Sequence, residues 1–210
     1  MLPIKLRLMD QKTHWEEIHG QKFQDVSWWQ NPSDLWLDLI DKCQLDKSSS
    51  TIDVGAGASL LADALLDQGF TDVNILDISE DALKRVKERL GNRIPAENYY
   101  VSDVRNFYSG RKFDLWHDRA VFHFLTSAED QAQYKESLLK NLDSRGYFVI
   151  STFAPDGPES CSGLTVARHD LESLESIFGE NFETIYSDTR IHITPFKSNQ
   201  NFTSVIFKHK

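Results

Sequence analysis

From residue 51 to residue 153, short apolar segments rich in β-branched side chains alternate with amphipathic helical ones, and no other feature narrows the fold so far. Strands that alternate with helices form a parallel sheet with helices on both faces, which buries the strands from both sides. Residues 51–54 (Thr-Ile-Asp-Val) make the first strand, and Leu60, Leu61, Ala64 and Leu65 share one face of the helix after it. Residues 73–77 make the second strand; Ala82, Leu83, Val86 and Leu90 then recur at helical spacing, and Gly91 stops that helix. Segments 99–104 and 113–118 read as the third and fourth strands. Thr126 and Glu129 have capping-box spacing ahead of a long helix with Tyr134, Leu138 and Leu142 inward, and Gly146 closes its exit turn.

A continuously apolar fifth strand covers residues 147–153, and a Pro/Gly/Ser-rich loop follows over residues 154–164. Leu171, Leu174, Ile177 and Phe178 mark one more helix, and two late strands lie near residues 182–187 and 202–208. Ahead of the sheet, residues 13–19 and 33–43 read as helices joined by the segment 26–30. A chain of 210 residues suffices for one domain with a full core and is short for two. The expected organisation is one domain: a helical cover over residues 1–48, a ligand-binding core over 49–153, and a substrate loop with the final strands over 154–210.

Composition weighs against several partner classes. A net charge of −9 argues against a large nucleic-acid footprint, which needs a basic face, and an acidic surface tolerates a cationic partner such as a lysine-bearing protein. There is no apolar run near the ~20 residues that a membrane helix needs, and the first ten residues lack the continuous apolar core of a signal peptide. Cys43 and Cys161 have no CxxC spacing for a metal and cannot build a disulfide framework. The expectation is a cytoplasmic, reduced protein without a membrane partner, a nucleic-acid partner or a bound metal.

The strand at 51–54 runs into Gly55-Ala56-Gly57-Ala58-Ser59, with a helix directly after it. Glycines at 55 and 57 let the backbone turn tightly and approach a ligand that a Cβ would block. The following helix start, with Ser59 as its cap, suits an anionic group. Asp77 ends the second strand, 24 residues after Asp53, where it can accept hydrogen bonds from ribose hydroxyls, with Ile78 beside it. Asp103, followed by Val104, stands where a carboxylate can take an exocyclic amine of adenine. Leu60 occupies the third-glycine position of a dinucleotide fingerprint, and no Gly-Lys-Ser/Thr follows. Asp53 would repel a pyrophosphate but suits an ammonium. The alternative is that Asp53, Asp77 and Asp103 are ordinary strand-end acids capping turns.

The Asp-x-Gly-x-Gly loop, with Ser59 where a third glycine is usual, and the two later acids resemble the motifs of class I methyltransferases over nearly the whole chain. That resemblance implies a Rossmann-like α/β fold, mainly parallel, with a late antiparallel strand pair. It also implies S-adenosylmethionine as cofactor, S-adenosylhomocysteine as product, and a site built from Asp53, Gly55, Ala56, Gly57, Ser59, Asp77, Ile78, Asp103, Val104 and Asp118.

The stretch Asp118-Arg119-Ala120-Val121 is similar to the Asp-Arg-Gly-Ala segment of thiopurine S-methyltransferases and the Asp-Lys-Gly segment of elongation-factor lysine methyltransferases, with Ala120 in place of glycine. In such enzymes this strand end borders the reacting methyl, which makes Asp118 and Arg119 the first catalytic candidates. His14-Trp15-Glu16-Glu17 and Trp28-Trp29 also resemble both groups; the two tryptophans are either a lid over a cationic group or packing for the leader helices. His123 is either a general base or a residue with one structural hydrogen bond. Cys161 and Arg168 belong to the substrate loop, and Arg168 either fixes an anionic substrate, as Arg190 would, or pairs with a surface acid. The implied acceptor is a nitrogen or sulfur atom of a small molecule, slightly favoured over a protein lysine. An NAD-dependent oxidoreductase and a non-catalytic nucleotide-binding protein are the rivals from other classes.

Overall fold

The computed structural model of the protein describes residues 4–19, 26–30, 36–57 and 59–210. Its strands are β1 (Ser50–Val54), β2 (Asp72–Asp77), β3 (Tyr99–Val101), β4 (Phe113–Arg119), β5 (Leu142–Phe153), β6 (Ser160–Cys161), β7 (Leu164–Thr165), β8 (Phe182–Ile193) and β9 (Asn199–His209). The α-helices are α1 (Ile4–His19), α2 (Leu37–Asp41), α3 (Leu61–Asp67), α4 (Glu80–Leu90), α5 (Ala128–Asn141) and α6 (Leu171–Phe178). One sheet runs β3-β2-β1-β4-β5-β9-β8, with β6 and β7 as a separate hairpin. β3, β2, β1, β4 and β5 are parallel, and β9 and β8 close the edge antiparallel. This is the mainly parallel sheet with a late antiparallel pair that the motifs imply.

The alternation of side chains along each strand divides the core in two. Ile52, Val54, Trp116, Phe148 and Ile150 pack toward Tyr134 and Leu138 of α5 and Leu174 and Phe178 of α6. On the other face Val73, Ile75, Leu115 and Val149 pack against Leu61 and Leu65 of α3 and Leu83 and Val86 of α4. Both faces of β1 are buried along its whole length, which is why its sequence reads as apolar without a period of two. No described helix is long and apolar enough to cross a membrane.

Several boundaries differ from the sequence expectation. The third strand stops at Val101, because Asp103 accepts the amide of Arg105 at 2.9 Å and opens a 3-10 turn instead. The long helix is capped by Ser127 and not Thr126. Ser127 has the extended backbone a cap requires, and its hydroxyl accepts the amide of Asp130 at 3.1 Å. That helix ends at Asn141, so Leu142 opens β5. Gly146 lies inside β5, where pairing to β4 slips from Leu142–Phe113 to Tyr147–Leu115. A Cβ on Gly146 would sit 2.8 Å from Leu142, so the glycine permits close packing at this irregularity and closes no turn. The helix expected over residues 33–43 is described as Leu37–Asp41; residues 31–35 lie outside the described part.

Candidate functional site

The loop after β1 is held to β2 by main-chain bonds. Gly55 and Ala56 donate to the Leu76 carbonyl at 2.7 and 3.2 Å. Gly55 has φ +62°, and a Cβ there would meet Val121 Cγ2 at 2.0 Å. Gly57 has φ +53° and donates to Asp77 Oδ2 at 2.7 Å, while Asp77 Oδ1 accepts the amide of Ser79 at 2.8 Å. Burial pushes the Asp77 carboxyl upward. Ser59 Oγ accepts the amide of Leu61 at 3.0 Å, so it supplies a helix-start acceptor although α3 begins two residues later.

Asp53 stands directly opposite His117 in the β1–β4 register, and its Oδ1 lies 2.7 Å from His117 Nδ1. Asp53 Oδ2 is buried and has no hydrogen-bond partner among the described residues. A buried carboxylate oxygen left open in this way is costly unless a donor reaches it, and an ammonium is the donor that also answers its charge.

Two cavities open at the C-terminal edge of the parallel strands and share Trp28, Gly55 and Arg119 in their walls. The larger encloses about 860 Å³ including its open mouth, within the range of small-ligand sites. Asp77, Ile78, Asp103 and Val104 line its floor, and Gln11, Trp15 and His19 of α1 line it from above. The smaller cavity is bordered by Asp53, Ala56, Ser59, His117 and Trp29. Trp15 packs edge-on against Trp28 and Phe124, with ring centroids 6.0 and 4.9 Å away. Both oxygens of Asp103 already accept from Arg105, whose buried guanidinium also reaches Asp130 at 2.5 Å and Gln11 at 2.7 Å.

The end of β4 divides its residues between two faces. His117 turns toward Asp53, and Arg119 borders both cavities. Asp118 is turned the other way, contrary to expectation. It is fully buried, its Oδ1 accepts the amide of Val121 at 3.0 Å, and its Oδ2 accepts the Tyr134 hydroxyl at 2.6 Å. Burial raises the Asp118 pKa to about 6. Its work is to shape the turn in which Ala120, at φ +69°, and Val121 enter the cavity wall.

Arg119 Nη1 donates to the Trp28 carbonyl at 3.2 Å, and its guanidinium lies 5.0 Å from the Trp36 ring and 5.1 Å from Phe202. Its Nε and Nη2 are buried without a partner among the described residues, and burial lowers its pKa to about 10.

Other candidates separate as clearly. Trp28 lines both cavities, Trp29 the smaller and Cys161 the larger. His123 lines neither; it is buried with its ring 4.4 Å from Phe124 and Phe153, and burial drives its pKa down to about 3. A neutral imidazole walled off from the cavity cannot relay a proton to a ligand there. Arg168 also lies away from the cavities, paired with Glu159 at 3.2 Å. Arg190 is held by Asp38 and Asp188 at 2.6 and 2.9 Å. The sequence reading missed His19, His117 and Arg105 as parts of the site. For His117 a signal existed: β1 and β4 are neighbours in this topology, so residues ending the two strands on one face must meet.

Residues 45–203 match a protein family described as a methyltransferase domain. The chain belongs to that family. Among curated methyltransferases, it is 27% identical over 171 residues to malonyl-[acyl-carrier protein] O-methyltransferase 1 of Ilyobacter polytropus, covering 76% of this chain and 62% of that protein. It is 22% identical over 194 residues to human EEF1A lysine methyltransferase 2, covering 83% of this chain and 75% of that protein. The chain spans 62% and 39% of the lengths of the two Ilyobacter O-methyltransferases it matches. A solved SAM-dependent methyltransferase from Anabaena variabilis shares the fold, with a TM-score of 0.77 at 16% identity, over 97% of this chain and 95% of that one. As in that fold generally, the cleft lies where open α/β sheets bind ligands, beyond the carboxyl ends of the strands.

Proposed function

We propose that this methyltransferase moves the methyl group of S-adenosylmethionine to a nitrogen or sulfur atom of a small molecule, leaving S-adenosylhomocysteine. The observation that carries this reading is the open, buried Oδ2 of Asp53 beside a glycine loop that borders both cavities. Asp53, steadied by His117, takes the ammonium of the methionine moiety. Asp77 accepts from the ribose, and Ile78, Asp103 and Val104 border the adenine. A dinucleotide fits less well, because Leu60 replaces the third glycine and Asp53 would face a pyrophosphate.

The cofactor supplies a methyl already activated on sulfonium, so the chain's task is alignment and exclusion of water. Trp15, Trp28 and Phe124 wall the larger cavity with rings, and Arg119 presents two unpartnered N–H donors to an anionic group bound there. Cys161, from the β6–β7 hairpin, closes the acceptor side. The Asp118-Arg119-Ala120-Val121 stretch, similar to that of thiopurine S-methyltransferases, supports the small acceptor, whereas the aromatic walls also suit a lysine ammonium. The similarity to a lysine methyltransferase is the ground for the second reading.

Calorimetric titration with S-adenosylmethionine, S-adenosylhomocysteine and NAD tests the cofactor. Micromolar binding of the first two, lost in Asp77→Ala, is expected; binding of NAD alone would sink the reading. Transfer of labelled methyl to small amines and thiols, and not to lysine peptides, then tests the acceptor class.

A further inference from the structure

Helix α1 lines the larger cavity through residues 11, 15 and 19, and over its described side chains, residues 11–19, it adds little to the apolar core. Of residues 11–19 only His19 is buried, and none belongs to the apolar clusters on either face of the sheet. Gln11, Trp15 and His19 follow one another at helical spacing and present a single face to the cavity. Besides the ring contacts of Trp15 with Trp28 and Phe124, what fastens this part of the helix is polar. The carboxylate of Glu16 accepts the Ser79 hydroxyl at 2.7 Å and the amides of Glu80 and Asp81 at 2.9 and 3.3 Å, at the first turn of α4. Burial alone would raise the Glu16 pKa, but these hydrogen bonds outweigh it and hold the carboxylate below its ordinary value. A second tie runs from Gln11 to Arg105, whose other arms hold Asp103 and Asp130.

We propose that Glu16 is a positioning residue that latches α1 as a lid over the bound cofactor. The inference rests on the cofactor reading above. Ser79 is the hinge point of the mechanism: its hydroxyl is held by Glu16 while its amide is held by Asp77 on the cavity floor. A cofactor on Asp77 and a lid on Glu16 therefore share one residue, and breaking the Glu16 bonds to α4 frees α1 to swing away from the cavity. Three bonds to a carboxylate ionised at neutral pH form a strong tie for a segment in which, over residues 11–19, only His19 is buried.

The test is stopped-flow release of S-adenosylhomocysteine, followed by the fluorescence of Trp15 and Trp28, with limited proteolysis of α1. Glu16→Ala is expected to raise the dissociation rate about tenfold or more, as loss of charge-assisted bonds implies, with Glu16→Gln intermediate. Glu17→Ala, at an exposed neighbouring position, serves as the control and is expected to match the wild type. The cofactor product should protect α1 from cleavage in the wild type and fail to do so in Glu16→Ala. A general loss of stability would lower the melting temperature without changing release, so an unchanged dissociation rate overturns the lid. Failure of the wild type to bind S-adenosylhomocysteine would instead remove the cofactor reading, and the lid with it.

Discussion

At the β1–β2 end of the cleft the protein already occupies most of its own polar groups, whereas at the β4–β5 end it leaves them open. Gly55, Gly57, Ser59 and Asp77 are linked to one another, to β2 and to α3 through short bonds, and among the described residues of this loop and its strand end Asp53 Oδ2 is left without a partner. Around the end of β4, two donors of Arg119, which borders both cavities, are buried without a partner among the described residues, and so, away from the cavities, are both ring nitrogens of His123, the hydroxyl of Thr152 and Nε2 of His169. Each such group costs roughly 1–3 kcal/mol. The β1–β2 side is thus internally bonded without a ligand, and the β4–β5 side carries polar groups for which the described residues supply no partner.

The comparison breaks most completely at Gly55. Gly55→Ala combines a left-handed backbone with a Cβ 2.0 Å from Val121. The expected destabilisation is about 3–5 kcal/mol in urea unfolding, with loss of detectable S-adenosylhomocysteine binding. A variant that kept both stability and binding would show the loop to be adjustable and not preformed.

Next in size is Asp118, which carries the turn between the two halves. Its folded pKa of about 6 lies above the unfolded value, so its stabilising contribution is complete below about pH 4 and is lost as pH rises through 6. Relative to Asp118→Asn, which does not titrate, the wild type should lose up to roughly 3 kcal/mol between pH 4 and 7. Parallel urea midpoints for the two proteins would detect it, and equal slopes would contradict the burial argument.

These two positions also show what could be read from the sequence. Gly55 was legible because the strand, the small residues and the helix start are contiguous. Asp118 was misplaced because it ends a strand at the correct edge, yet side-chain alternation turns it away from His117 and Arg119. That parity is readable in the sequence, but which face holds the cavity depends on the Asp53–His117 pairing across 64 residues. The ties of Glu16 to α4 and of Arg105 to Gln11 join elements 63 and 94 residues apart and leave no local pattern. The role of Ala120 became clear only with its backbone: the glycine of the similar motifs matches a left-handed φ.

His123 sharpens the β4–β5 side of the comparison. Burial lowers its pKa to about 3, below the unfolded value, so its contribution is complete above pH 6.5 and is lost as pH falls toward 3. His123→Phe keeps the ring between Phe124 and Phe153 and removes both unpartnered nitrogens. It should gain about 1 kcal/mol at pH 7. The gain should widen by roughly 2 kcal/mol at pH 5, where the unfolded histidine protonates. A destabilised variant would mean that those nitrogens have partners after all.

The smallest effect is expected at Ala120, where both halves meet. A left-handed alanine costs about 1–2 kcal/mol, but a glycine in its place enlarges the unfolded ensemble by about 0.4–1 kcal/mol. The two oppose each other, and Ala120 also packs against the cluster of Phe153, Cys161 and Phe202. Ala120→Gly should therefore stabilise by only about 0.5 kcal/mol in urea unfolding. If it destabilises instead, the methyl group contributes more to that cluster than the backbone gives up, and the alanine is a packing choice at a strained position.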